Sequence, residues 1–399
     1  MKIKILYKPL LAGLFIVWFL NADQVRAQVR QGLTQNTKSQ IIVREYNPKE
    51  HIHKFNKKLK ETSGLIQLNG YFYTHNDSGG EPEIYGIDTT DGSVNQTIRI
   101  NNAVNTDWED IATDDKFLYI GNFGNNSGNR IDLCIYRVLL KNIPVRGDAT
   151  VPAEKISFGF EDQVSFETKN RKHNFDCESM ISYNDQLILF TKNWGDNQTR
   201  LYSVPKNPGN YKAAFLAKFD SKGLVTGADL NKNDNTLALC GYYNYMPFIW
   251  LINDFTPTST VGWQALRLEF QNRTGAQTEG ICFGSDGNIY ISSEETGIYD
   301  AKMYKVNYQK IKEKIPEKGE EIFSLDYTII DNTIRLLTEC PSCKKYDIDL
   351  LNRKGENLFH KKVTGNTGQL TTVIPLPTDE KGLVIRLKSG KKTASAGIN

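Results

Sequence analysis

Between residues 60 and 310 the chain repeats one pattern: a small polar or acidic residue, a short alternating apolar run, a turn, and a second apolar run. Residues 63–75, 108–122, 177–191, 226–240 and 278–292 each carry it. Alternation with a period of two predicts half-buried strands, so each instance predicts an antiparallel pair. With Ser63, Glu109, Glu178, Gly227 and Glu279 taken as equivalent, the steps are 46, 69, 49 and 52 residues. Spacings of roughly 40 to 50 residues with four strands apiece are the mark of a β-propeller. Five units result, or six if the 69-residue step hides another sheet.

The fifth unit shows three strands, at residues 280–283, 288–292 and 302–306, and lacks a fourth. Residues 41–46 have strand composition and are expected to fill that gap, closing the ring. Ile52, Phe55 and Leu59, in the Lys-rich segment that follows, are spaced as on a helix. Residues 160–176, inside the long second step, are too polar for a core and carry several Phe, which predicts a structured loop. After residue 321 the composition changes, and short strands at 334–338, 345–351, 369–375 and 382–387 predict a separate β-sandwich.

The first residues read as an export leader. A basic start, an apolar run over 9–20 and the small-residue site at 25–27 predict a signal peptide over 1–27. Residues 28–58 then hold a polar, flexible N-terminus and the closing strand, 59–315 the propeller, and 322–399 the sandwich. No integral membrane span is expected in the mature chain, because the one long apolar run is short for a bilayer. Formal net charge is +3, with 49 basic against 46 acidic residues, which supplies no electrostatic reason to expect nucleic acid. Cys134, Cys240 and Cys282 sit in apolar runs and read as core residues, whereas Cys340 and Cys343 fit a local disulfide.

In a propeller the start of the innermost strand and the end of the next share one face of the disc. On that rule His75, Asp77, Trp108, Asn122, Lys192, Trp194, Tyr242 and Glu294 are candidate ligand-binding residues. Glu109, Glu178 and Glu279, at equivalent positions, would repel one another unless compensated. Ca²⁺ would compensate them as an oxygen-liganded cation, with the three Glu as its ligands. Lys192, or local hydrogen bonds to backbone N–H groups, would serve equally. His75 beside Asp77 is placed for a general base, although Asn76 to Gly80 also reads as a plain turn.

Thr74 to Gly79, Asp107 to Ala112, Asp176 to Glu178, Phe190 to Trp194, Gly223 to Ala228 and Gln277 to Gly280 resemble the uncharacterised exported propellers of bacteria with type IX secretion. Tyr346 to Gly355 and Lys381 to Leu387 resemble that system's C-terminal sorting domain, with Val384 where an aromatic is usual. The resemblance implies a secreted or cell-surface protein whose partners include the type IX machinery. Residues 108–124 are also similar to a blade of the calcium-activated nucleotidases, five-bladed propellers with a channel metal. Two function classes follow. One is a polar mouth that binds a small molecule or glycan, with or without a metal. The other is a metal-assisted hydrolase of phosphoester or lactone bonds.

Overall fold

A computed structural model describes residues 40–316, except 261 and 262, and residues 326–398, except 331, 332, 341–343, 353, 354, 366, 367, 378–381 and 391. The expected signal peptide and the polar segment to residue 39 lie outside the described residues.

Two strands come first, β1 (Gln40–Glu45) and β2 (Lys49–Ile52). The first propeller unit follows, β3 (Thr62–Leu68), β4 (Tyr71–Asn76), β5 (Glu83–Asp88) and β6 (Val94–Ile100). The second comprises β7 (Trp108–Thr113), β8 (Phe117–Asn122) and β9 (Cys134–Leu139). From there the chain sends β10 (Ala149–Val151) back to the edge of β6, in parallel, and returns with β11 (Glu154–Phe160) as the second unit's outer strand. The third is β12 (Cys177–Tyr183), β13 (Gln186–Thr191), β14 (Thr199–Pro205) and β15 (Gly209–Phe219). Next come β16 (Leu224–Asn231), β17 (Thr236–Tyr243), β18 (Met246–Asn253) and β19 (Gln264–Glu269), then β20 (Thr278–Phe283), β21 (Ile289–Ser293) and β22 (Lys302–Val306).

Within every unit consecutive strands pair antiparallel, and the inner strands neighbour one another in the order β3, β7, β12, β16, β20 and back to β3. This is a β-propeller, and the ring counts five units. The 69-residue step holds no sixth sheet, because its extra length is spent on β10 and the loop before β12.

The closing strand differs from the expected one. β2 pairs antiparallel with β22 and completes the fifth unit, while β1 runs parallel to β19 on the outside of the fourth. Ile52, Phe55 and Leu59 are buried together between the fifth and first units, but only Lys57–Leu59 makes a turn of 3-10 helix. A four-residue strand followed by a turn can place three apolar side chains on one core as well as a helix can. Spacing alone therefore did not separate them.

Side chains clasp the inner strands across the ring. Asp110 Oδ2 accepts from Met180 N at 2.8 Å, and Asp229 Oδ2 from Phe283 N at 2.8 Å. Ser63 Oγ donates to the Glu109 carbonyl at 2.6 Å, and Thr226 Oγ1 to that of Thr278 at 2.6 Å. Between the sheets lie apolar clusters such as Phe219, Trp250, Phe255 and Trp263. The thiols of Cys134, Cys177, Cys240 and Cys282 are buried, as small apolar groups are.

In the C-terminal segment, β23 (Asp326–Ile330), β24 (Thr333–Cys340) and β27 (Gly368–Pro375) form one sheet. β25 (Lys345–Leu351), β26 (Asn357–Thr364), β28 (Leu383–Ser389) and β29 (Lys392–Ile398) form the other. Ile334, Leu336 and Ile374 from the first sheet share a core with Ile348, Leu350 and Ile385 from the second. Part of the expected Cys340 to Cys343 disulfide lies outside the described residues.

Candidate functional site

At the start of each inner strand the pairing with the next strand slips. The slips fall between Trp108 and Asp110, Cys177 and Ser179, Val225 and Gly227, and Thr278 and Gly280. The residues left unpaired are Glu109, Glu178, Thr226 and Glu279. A bulge re-aims its extra side chain out of the ladder, so four units present a polar side chain at one structural position. The equivalent in the fourth unit is thus Thr226, one residue before the Gly227 that the repeat alignment selected. In the first unit the slip spans Gly64 and Leu65, and Gly64 sits at φ 62° with Ile111 N only 2.8 Å from where a Cβ would be.

Glu109, Glu178 and Glu279 open into an axial cavity of about 420 Å³, whereas the Thr226 hydroxyl is spent on the Thr278 carbonyl. All five units contribute: Asp77, Glu109, Glu178 with Lys192 and Trp194, Tyr242, and Glu279 with Glu294. Tyr243 and Tyr245 edge it from the turn between β17 and β18, where Asn244 and Tyr245 have φ of 49° and 60°. A left-handed tyrosine is an uncommon conformation, and this one is held as its carbonyl accepts from Gly275 N at 2.7 Å. The loop after β11 adds Arg171, whose guanidinium lies 4.9 Å from the Trp194 ring. A larger groove of about 640 Å³ lies outside the second unit, lined by Phe117, Arg137 and Glu154 among others, but it draws on one sector of the ring.

Lys192 is the buried lysine among the described residues. Its Nζ is 3.1 Å from Glu178 Oε2, 5.2 Å from the Trp194 ring and 5.6 Å from that of Tyr242. Burial works against its charge, but Glu178, Tyr242, Glu279 and Glu109 overcome it and hold the ammonium well above its usual range. The carboxyls around it are displaced upward as well, which for them favours the neutral form. Burial, then Asp107 and Glu279, push Asp77 up to about 7. Burial and Asp176 push Asp107 up to about 6. Glu279 rises to about 8 and Glu294 to about 7, burial being the largest cause for both.

Of the three glutamates expected to share a cation, Glu109 lies in a close acidic group with residues other than Glu178 and Glu279. Asp77, Asp107 and Glu109 each bring an oxygen within 4.8 Å of the others, the one such acidic or His/Cys group among the described residues. Glu178 is committed instead to Lys192, and Glu279 lies with Glu294 and Lys192 in its electrostatic surroundings. Asp107 was not among the candidate site residues, because it precedes its strand and lies outside the repeat-equivalent positions. Gly124 lets the cluster close, since a Cβ there would meet Glu109 Oε1 at 2.1 Å and Asp107 Oδ2 at 2.5 Å. Asn105 ties its halves together, donating from Nδ2 to the carbonyls of Asn76 and Asp77 and accepting from Trp108 N.

Three of the expected ligand-binding residues stand behind the mouth. His75 is fully buried, edge-on to Trp108 with ring centres 5.6 Å apart, and burial lowers it to about 4. It sits within β4, paired with Ser63, so only Asp77 beyond the strand end reaches the cavity. Trp108 packs between the first and second units. Asn122 accepts from the backbone N–H groups of Thr106 and Asp107, and so positions Asp107. The other five, Asp77, Lys192, Trp194, Tyr242 and Glu294, line the cavity.

No protein-family model and no curated protein matches the chain. Among solved structures, an exo-beta-1,3-galactanase from Phanerochaete chrysosporium with galactose is similar over 88% of this chain and 99% of its own, at 9% identity and a TM-score of 0.40. A glucose dehydrogenase is similar over 63% and 98%, at 11% identity and a TM-score of 0.37. Apo AztD from Citrobacter koseri covers 78% of this chain and 75% of its own, at 12% identity and a TM-score of 0.27. Likeness at that level carries no weight for the chemistry of the mouth, and the propeller rests on its own strand pairing.

Proposed function

We propose that the axial mouth binds a small polyhydroxylated ligand or the end of a glycan, neutral or amine-bearing rather than acidic. One observation carries this reading: five propeller units converge on a single cavity that has carboxylates on its walls and aromatic rings at its edge. The volume lies in the range of small-molecule sites. Carboxylates accept hydrogen bonds from hydroxyls, and Trp194, Tyr242, Tyr243 and Tyr245 offer faces against which the C–H side of a sugar ring packs. Asp77, Glu109, Glu178, Glu279 and Glu294 outnumber Lys192 and Arg171, so an acidic sugar would meet repulsion wherever these carboxyls are ionised and would find few cations to pair with where they are not.

Export belongs to the same proposal. It rests on the leader-like residues 1–27 and the sorting-like residues 322–399, and places the mouth outside the cell or at its surface. Among the described residues no helix is long and apolar enough to cross a membrane. The hydrolase alternative needs a cation to activate water and so depends on the inference below.

Saturation-transfer NMR of the purified protein against neutral, amino-sugar and uronic-acid oligosaccharides tests the reading. Signals from the first two classes support it, and transfer confined to uronic acids overturns it.

A further inference from the structure

We infer that Asp77, Asp107 and Glu109 form a binding site for a hard divalent cation of the calcium type, set in the wall of the axial mouth. For its place in that mouth it rests on the reading above, but its ligands and its test are separate. Oxygens within 4.8 Å of one another can share a centre at the roughly 2.3–2.6 Å that Ca²⁺ adopts with oxygen ligands. Three carboxylates in such contact, two of them beside a glycine that a methyl group would exclude, form an arrangement that only compensation makes tolerable.

Two further observations separate this cluster from an ordinary acidic patch. Glu178 is 1% exposed and lines the same cavity, yet its Oε1 accepts no hydrogen bond among the described residues, Lys192 being spent on Oε2. Asp77 Oδ1 is likewise buried without a partner. A buried acceptor left unmatched is costly, and a cation with its water shell is the chemistry that satisfies several at once. Lys192 cannot serve all of them, because its ammonium is anchored against Glu178. The site also has built support: Asn105 fixes the loop carrying Asp77, and Asn122 the backbone of Asp107. Bound there, the cation would stand at the cavity wall, where sugar hydroxyls could complete its coordination.

Calorimetric titration of the chelator-treated full chain with CaCl₂ tests this, with terbium luminescence sensitised by Trp108 and Trp194 as a second readout. One Ca²⁺ per chain is expected, with affinity reduced at least tenfold in Asp107→Asn and Glu109→Gln and unchanged in Asp115→Asn, an exposed acid elsewhere. Because the first two substitutions relieve repulsion, both variants should melt in chelator no lower than the wild type, which shows that they fold. Absence of uptake by the wild type, or equal uptake by all four proteins, overturns the site. If an oligosaccharide binds equally with Ca²⁺ and with chelator while no Ca²⁺ is taken up, the cation site falls and the ligand reading stands. Ca²⁺ uptake without oligosaccharide binding does the reverse.

Discussion

Lys192 and Glu178 form a buried ion pair at the propeller axis, Nζ to Oε2 3.1 Å, with neither residue more than a few per cent exposed. The lysine follows the second strand of the third unit, and the glutamate is the bulge residue of its first. Removing one member of such a pair strands the other in a poorly solvated place. Lys192→Met is therefore expected to lower stability by about 3 kcal/mol. Glu178→Gln added to it should recover part of the loss. Denaturant unfolding of the two single variants and the double variant measures this, and purely additive effects would mean that the two groups do not depend on each other.

The remaining carboxyls set a pH dependence whose sign follows from their displacement. Asp77, Glu279 and Glu294 hold protons in the folded state up to about 7, 8 and 7, against 3.8 or 4.5 without the fold. Between those limits the unfolded chain carries fewer protons than the native one, so stability falls as pH rises. His75 acts oppositely, but its window closes near its ordinary 6.5. From about pH 6.5 to about pH 8, melting in chelator should thus move to lower temperature, with a shallower trend in Glu279→Gln. A rising or flat trend in the wild type would contradict this placement of the charges.

Gly124 is expected to be intolerant for a local reason. An alanine methyl there would land on Glu109 and Asp107, so Gly124→Ala should weaken Ca²⁺ binding at least tenfold while the strand pairing survives. Calcium titration beside far-ultraviolet circular dichroism separates loss of the site from loss of the fold.

Ring closure can be checked by trimming the N-terminus. A chain beginning at residue 47 lacks β1, which only edges the fourth unit, and should still unfold cooperatively with a lowered midpoint. One beginning at residue 57 lacks β2, Ile52 and Phe55, leaves β22 without its neighbour, and should not fold cooperatively. Equal behaviour of the two would contradict the assignment of β2 as the closing strand.

What could be read from the sequence, and what could not, follows the physics of each element. The inner strand pairs were legible because alternation and a turn recur together, as at Asn69 and Gly70, which join β3 to β4 with φ of 51° and 84°. The choice of Thr226 over Gly227 was not, since a bulge shifts register by one residue without altering the hydrophobic pattern. Residues 41–46 look more strand-like than Lys49–Ile52, yet which edge a strand joins is decided by tertiary packing. The repeat exposed Glu109, Glu178 and Glu279. Lys192 was among their expected compensators and does pair with Glu178, but the repeat could not show which glutamate it claims, or that Asp77 and Asp107 from loops gather around Glu109.

Trp194 lines the mouth and is held as its Nε1 donates to Asp176 Oδ2 at 2.7 Å. The most direct test of the proposed function is calorimetric titration of the full-length protein, in calcium, with the neutral or amino-sugar oligosaccharide that gives the strongest NMR transfer. Wild-type, Trp194→Ala and Glu279→Gln proteins would be compared. Saturable binding by the wild type is predicted, about fivefold weaker in Trp194→Ala from the loss of roughly 1 kcal/mol of ring packing, and weaker again when both substitutions are combined. Binding of equal strength in all of these proteins would place the ligand elsewhere on the molecule and contradict the assignment of the axial mouth as its site.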